Sequence, residues 1–542
     1  MHRCLWIDDV LEQIIDLACR NDDEDTINFT TAISLATTCR AFMDPALNKI
    51  WHTLPEFDIL LSLFPEDSWV LRDAVEEFVQ ANCEDQEEID VLQLRKEYIQ
   101  EFFFSWPLQE ADWARFRFYA PRIRSLTFDY DPFAEPERAI SVSALQELSR
   151  FAPSKILPQL NDLSWEDPRP EILQYMGTFF TDTLTKLNID IGIPSPGAYD
   201  ELDRIALLLP NMCPNLRILR FFEVTHSTLS LILSPPPAIQ ATSIAKSLRE
   251  LWVSGLERYS LKVLHEIGTL PYLARLRFPV ERASLLPDKP TLPFTELTSL
   301  DLYSSKSGDI FAPFLDILQP RNLSELMLAV HSPCRFPMDE CLFKAIMRFS
   351  KLMRLDMWST GWEEGLGDEE IYPSAMTILI ISPLFSLKHL TVLLIETQTL
   401  TFSDEAIEAI AIAFPALVEL SVIREWHWPS EVTLNGLRSL ALHCPHLAKL
   451  GIIFDTGFSL FDSRNTVFHT KNFAPMKLKV GRSLARDPHR MARILCTMFP
   501  GLKAVSAWSP SNPELNWNWR SEELKWFEVQ RLVDGMRKPS PG

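Results

Sequence analysis

The chain has 542 residues, with 52 Lys or Arg against 73 Asp or Glu, a formal net charge of −21. So acidic a protein is a poor grip for phosphate backbones, which excludes nucleic acid as the expected partner. Only 16 residues are Gly, against 39 Pro and 77 Leu. No GxxxxGK or GxGxxG loop, GxSxG elbow, HExxH pair or kinase motif set occurs, so no catalytic residues, cofactor or metal are expected.

The N-terminus turns acidic at Asp8 and Asp9 before any apolar signal core forms. The longest apolar run, 375–385, is interrupted by Pro383 and is too short to cross a bilayer. Nine Cys are scattered without a CxxC, a pattern of reduced thiols in a cytoplasmic or nuclear protein with no membrane partner.

The first fifty residues predict three short helices. One opens at Asp8 and carries Val10, Leu11, Ile14, Ile15 and Leu17 at three-to-four spacing. After an acidic loop at 21–25, a second runs over Phe29, Ala32, Ile33, Leu35 and Ala36. Cys39-Arg40-Ala41-Phe42 marks a corner, and Asp44-Pro45 is expected to cap a third helix with Leu47, Ile50 and Trp51. Three helices totalling fewer than fifty residues bury little surface alone, so this head, residues 1–54, is expected to need a partner. Residues 55–120 read as a helical bridge, with Leu71, Val75 and Phe78, then Leu94, Tyr98 and Phe102, at helical spacing. Twelve acids and two bases lie between Asp73 and Asp112.

From residue 121 to 510 one pattern recurs: apolar, two variable, apolar, one variable, apolar. The fourteen units start at Ile123, Leu160, Leu184, Leu216, Leu248, Leu273, Leu297, Leu323, Leu352, Leu387, Leu417, Leu447, Phe473 and Leu502. Apolar positions two apart put both side chains on one face of a strand. The intervening residues leave room for a short helix. Ser403 and Asp487 are expected N-caps, and Pro214, Pro271, Pro415, Pro445 and Pro500 close helices before the next unit.

Each unit resembles a leucine-rich repeat of the helix-bearing, ribonuclease-inhibitor-like variety. The fold class expected is α/β: a three-helix head and bridge, then an irregular repeat solenoid, a horseshoe with parallel strands concave and helices convex. Stacking, not any single repeat, would supply the core. The Asn or Cys that usually follows the strand is mostly missing.

Residues flanking the last apolar position of each strand point to the open, concave side. These are Arg220, Phe222, Trp252, Ser254, Arg277, Asp301, Tyr303, Asp356 and Trp358, then Leu393, Ile423, Ile453, Lys477, Lys479 and Trp508. Aromatic and Arg side chains usually carry interface energy. Trp252, Arg277, Asp301, Tyr303, Asp356 and Trp358 are therefore the candidate protein-substrate residues, weighed against simple packing along the ladder. Three weaker features complete the chain. Gly365-Leu366-Gly367 reads as a surface turn, and His443-Cys444-Pro445-His446 lacks the ligands for a metal site. Residues 511–542, with Trp517, Trp519 and Trp526, read as a cap and loose tail rather than a base-stacking platform.

The run Leu5, Ile7, Val10, Leu11, Ile14, then Leu35, Cys39, Arg40, Ala41, Phe42, Pro45, Leu47 and Trp51 resembles an F-box. With Asp112-Trp113 through Leu126 at the junction and the repeats beyond, the chain is similar to fungal (basidiomycete-type) F-box/leucine-rich-repeat proteins. Asp8 stands where that family usually has Pro. The resemblance implies a head that docks on a Skp-type adaptor of a cullin ubiquitin ligase, through Leu5, Ile7, Val10, Leu11, Ile14, Leu35, Cys39, Arg40 and Phe42. It also implies repeats that hold a protein substrate. The alternative is a repeat scaffold whose head no longer meets the adaptor.

Overall fold

In the computed structural model the described residues are 8–20, 27–80, 93–128, 138–151, 155–167, 169–192, 196–222, 224–234, 244–255, 261–280, 292–305, 308–331, 340–360, 374–375, 378–396, 400–423, 430–457, 470–507 and 517–537. The chain divides into two compact units, Met1–Tyr259 and Ser260–Gly542.

The first unit begins with three helices, Asp8–Ala18, Phe29–Thr38 and Arg40–Ile50. Leu11, Ile15, Cys19, Ala32 and Ala46 form their shared core. The spacing of Leu11 and Ile15 fixes the buried stripe of the first helix. Asn28 caps the second, accepting from Thr31 N at 3.0 Å. The third helix does not start at Asp44-Pro45. Cys39, in extended conformation, is its N-cap, and Pro45 lies inside it, at the cost of one backbone hydrogen bond.

The bridge is also not helical throughout. Residues 69–80 and 93–104 form two twelve-residue antiparallel strands, with Trp69 opposite Phe104 and Gln80 opposite Gln93. Both segments are rich in β-branched and aromatic residues, and that preference overrides the helical spacing. The base of the pair is held by Arg169, which is buried. Its guanidinium binds Asp167 (2.7 Å), Glu101 (3.0 Å) and the Ile140 carbonyl (3.0 Å).

Five repeat strands follow in this unit: Ser125–Phe128, Asp162–Trp165, Lys186–Ile189, Ile218–Phe221 and Glu250–Val253. They are parallel and in register, so Leu126, Leu163, Leu187, Leu219 and Leu251 form one continuous row. The leading residues Ile123, Leu160, Leu184, Leu216 and Leu248 are fully buried beneath them. Phe128 and Trp165 stack with centroids 4.1 Å apart. A strand absent from the sequence reading, Thr53–Leu54, pairs with Ser125 and Leu126 and joins head to repeats.

The second unit contributes nine parallel repeat strands among the described residues, from Arg275–Pro279 to Leu502–Ala507, and a separate short parallel pair, Ser374–Ala375 with Leu400–Thr401. Its helices carry the expected caps: Ser403 accepts from Ala406 N (3.3 Å) and Asp487 from Arg490 N (3.0 Å). Two strand readings shift. Leu393 pairs with Leu355 and Leu420, so its unit starts at Leu390, not Leu387, and Leu393 faces the core rather than the open side. Leu478 pairs with Leu450 and Val505, moving the thirteenth unit by two residues. The helix Trp517–Arg537 buries Trp526, Val529 and Val533, and Trp526 Nε1 donates to the Ser483 carbonyl at 2.7 Å. Burial leaves that indole no free face for a base.

In place of the Asn ladder that the sequence lacks, the main chain supplies one. The carbonyl just ahead of most of the strands accepts two N–H groups of the next repeat. Asn161 O takes Thr185 N (2.9 Å) and Lys186 N (3.0 Å), and Ser324 O takes Met353 N (2.8 Å) and Arg354 N (3.0 Å). The same pattern recurs at Arg124, Thr185 and Arg217 in the first unit and at Ala274, Thr298, Met353, Thr391 and Val418 in the second. Stacking is thereby satisfied without a particular side chain. Asn472 is a side-chain exception, donating to the Cys444 and Leu447 carbonyls at 2.9 Å each. No helix among the described residues is long and apolar enough to cross a membrane.

Candidate protein-binding surfaces

The head divides its candidate residues. Leu11 is 3% exposed and belongs to the core, so it has no face for a partner, while Leu35 and Phe42 are half-buried against that core. Val10 and Cys39 are also half-buried, and Arg40 is exposed. Ile14 is exposed, and Leu5 and Ile7 lie outside the described residues. The sequence reading missed Leu17, Phe29, Ile33 and Met43, all exposed apolar side chains on the same three helices. Their signal was present in the off-stripe positions, Ile14 and Leu17 beside the buried Leu11 and Ile15, and Phe29 and Ile33 four apart.

The head is fastened to the first repeat. Arg122 binds Asp44 (2.7 Å) and Asn48, and the His52 carbonyl accepts from both Arg124 N and Ser125 N at 2.9 Å. A cavity of about 310 Å³ lies here, lined by Glu12, Asp16, Lys49, His52, Arg122 and Arg124 among others. Lys49 is already paired with Asp16 at 2.8 Å. Burial, then Lys49 and Arg124, hold the His52 imidazole below its ordinary value.

On the open face of the first unit most polar groups bond one another, although Asn188 Oδ1 is buried without a partner. Lys186 meets Asp162 (2.8 Å), Asn188 Nδ2 donates to Ser164 Oγ (2.8 Å), and Ser164 to Glu166 (2.7 Å). Arg220 binds Glu250 (2.8 Å) and lies 3.7 Å over the Trp252 ring. Trp252 is thus on the open face, where the sequence put it, but one side of it is taken by Arg220.

The second unit brings together Arg277, Asp301, Tyr303, Asp356 and Trp358. Register places Arg277, Asp301, Met327, Asp356 and Leu394 in one row across five strands, and Tyr303, Ala329, Trp358 and Glu396 in the next. His331, missed by the sequence reading, stands edge-on between the aromatics, 5.7 Å from Tyr303 and 5.0 Å from Trp358. Arg277 reaches Asp301 at only 3.4 Å and lies 5.4 Å from the Tyr303 centroid. Arg354 meets Asp356 at 3.1 Å.

These carboxyls are hard to ionise. Burial pushes Asp301 up to about 6, with Arg277 opposing and Asp356 adding to the shift. Asp356 is raised by burial, against Arg354 and with the repulsion of Glu396 and Glu419. His331 is lowered, by burial and then by Arg277. Asp301 Oδ1 is buried without a hydrogen-bond partner. Of the other open-side candidates, Phe222, Ser254 and Ile423 are half-buried, Ile453 is buried, Lys477 and Lys479 are exposed, and Trp508 and Gly365–Gly367 lie outside the described residues.

No group of His, Cys, Asp or Glu among the described residues could hold a metal ion. Cys444 is instead a buried helix-end residue with Sγ 3.7 Å from the Ala411 carbonyl. No protein-family model matches the chain, and no curated protein matches it. Among solved structures, the leucine-rich-repeat ectodomain of the Arabidopsis receptor kinase HAESA, in complex with an N-terminally extended IDA peptide hormone, is similar at 11% identity. The match covers 71% of each chain with a TM-score of 0.20, too low to carry any argument. The repeat architecture therefore rests on the strand register of the chain itself.

Proposed function

We propose that the chain is the substrate-binding subunit of a Skp–cullin–F-box type ubiquitin ligase, working in the cytoplasm or nucleus. The head meets the Skp-type adaptor and the open face of the repeats holds a protein substrate. The observation that supports this most is the head itself. Three helices bury a small core yet keep Ile14, Leu17, Phe29 and Ile33 in water, an arrangement that a partner's apolar surface would relieve. Ubiquitin transfer then belongs to other subunits, in keeping with the absence of a catalytic motif from the sequence.

The test is co-purification of the full chain with a Skp-type adaptor, compared with Ile14→Asp plus Ile33→Asp. Both positions are exposed, so the fold tolerates the charges. Adaptor recovery is expected to fall at least tenfold. Absence of adaptor from the wild-type chain, or recovery indifferent to the substitutions, would refute the ligase reading. A second reading, a repeat scaffold without a ligase, is favoured by Asp8 in place of the usual Pro and by the burial of Leu11. Retained protein partners without adaptor are its signature.

A further inference from the structure

The open face of the second unit has a chemistry that narrows its partner. Across the strands from Arg275 to Glu419, five carboxylates (Asp301, Glu325, Asp356, Glu396, Glu419) face three guanidinium groups (Arg275, Arg277, Arg354). On the next strand Lys449 pairs with Glu419 at 3.3 Å, and farther along Lys477 and Lys479 reverse the sign. The acidic excess is therefore local, centred on Asp301 and Asp356. Register sets these two carboxylates on either side of Met327, two strand spacings or about 9.6 Å apart. Anything seated over Met327 is about 5 Å from each. Beside this point Trp358, Tyr303 and the edge-on His331 make an aromatic ledge.

Asp356 accepts one bond from Arg354, at 3.1 Å, whereas Asp301 is not fully satisfied by its own arginine. Arg277 meets only Oδ2 of Asp301, at 3.4 Å, and Oδ1 of the same group is buried without a partner. Leaving a buried acceptor unpaired is costly, and the terminal torsion of Asp is soft enough to turn that oxygen toward a donor. Two carboxylates whose charge burial and neighbouring acids disfavour gain most from a shared cation. An aromatic surface beside them accepts the aliphatic stem of such a cation and its charge.

We infer that this face recognises a protein segment through a lysine or arginine side chain, whose cation sits over Met327 between Asp301 and Asp356 and whose stem lies along Trp358. The inference rests on the reading that the open face is the substrate-docking surface, and it names what that surface selects. The first unit offers no equivalent, because its Asp162, Glu166 and Glu250 are each already bonded within the face.

The experiment places p-benzoylphenylalanine at Glu325, an exposed position on the Met327 strand and outside the cation seat, in the full chain. The chain is expressed in cells, irradiated, and the cross-linked peptides are sequenced by mass spectrometry. Captured peptides are expected to carry Lys or Arg within about three residues of the cross-link. Asp301→Asn plus Asp356→Asn, isosteric and uncharged, is expected to lower capture at least tenfold by removing charge-assisted bonds. Protein peptides without a basic residue, or capture unchanged by the double substitution, would overturn the inference and leave the face as a docking surface. Cross-links to nucleic acid alone, or none above the unirradiated control, would overturn both.

Discussion

Asp301→Asn separates stability from binding. The Asp301 side chain is 21% exposed, and its carboxyl is raised from 3.8 to about 6. A folded-state value above the unfolded one means that the folded chain binds the proton more tightly between those limits. Stability therefore falls as pH rises through that window, and the whole cost is present at pH 7. Roughly two units at about 1.4 kcal/mol each give about 3 kcal/mol at pH 7, falling to about 1 kcal/mol at pH 4.5. Asn has the shape of the neutral carboxyl and carries none of this cost. The attraction of Arg277 is already counted in the net shift. The variant is thus expected to unfold at a higher urea concentration than the wild type at pH 7, with unchanged slope, and the gain is expected to shrink by more than half at pH 4.5. A lower midpoint at pH 7, or an equal gain at both pH values, would refute the electrostatic reasoning.

Three further outcomes follow from packing. Arg169→Met removes the cation that pairs with buried Asp167 at 2.7 Å and with Glu101 at 3.0 Å, a loss of about 3–5 kcal/mol that limited proteolysis should register as faster cleavage within the strand pair 69–104. Gly501→Ala drives a methyl to 2.0 Å from the Ala474 carbonyl oxygen, where backbone must move. A cost of about 3 kcal/mol or more should appear in the urea midpoint, and a variant as stable as wild type would contradict the geometry. Burial pushes the thiols of Cys213 and Cys444 up to about 12, so iodoacetamide at pH 8 should label exposed Cys341 in the native chain and spare those two until urea is added.

The repeats were legible because burial at alternate positions is what a stacked strand requires, and fourteen such units correspond to fourteen parallel strands. The errors have physical reasons. In 387–395 two overlapping frames both satisfy the pattern, and the register selects the one that buries Leu393 and Ile395 together. An offset of three is odd, so it reversed the face assigned to Leu393. At Met476 the offset is two, which preserves the face and cannot be detected from alternation alone. The strand pair 69–104 was misread because apolar residues four apart satisfy both periods, and only pairing decides between them. On the open face, the positions of Trp252, Asp301, Tyr303 and Trp358 followed from the pattern. His331 did not, because it stands three residues past the last apolar position of its motif.

The main-chain ladder explains why the open face can be read chemically at all. Carbonyls just ahead of the strands and three buried apolar positions per unit hold the stack together, so outward side chains are not needed for stacking and can vary. In the first unit the carboxylates Asp162, Glu166 and Glu250 each bond a neighbour. In the second, Asp356 is buried and Asp301 half-buried with one oxygen lacking a donor, when Asn at either site would fit the same space. A fold that bears this cost in an otherwise unconstrained row is stable despite the carboxylates, and strain of this kind concentrates at functional sites. That is the physical reason for placing recognition over Met327 rather than at Trp252, where Arg220 already occupies the ring.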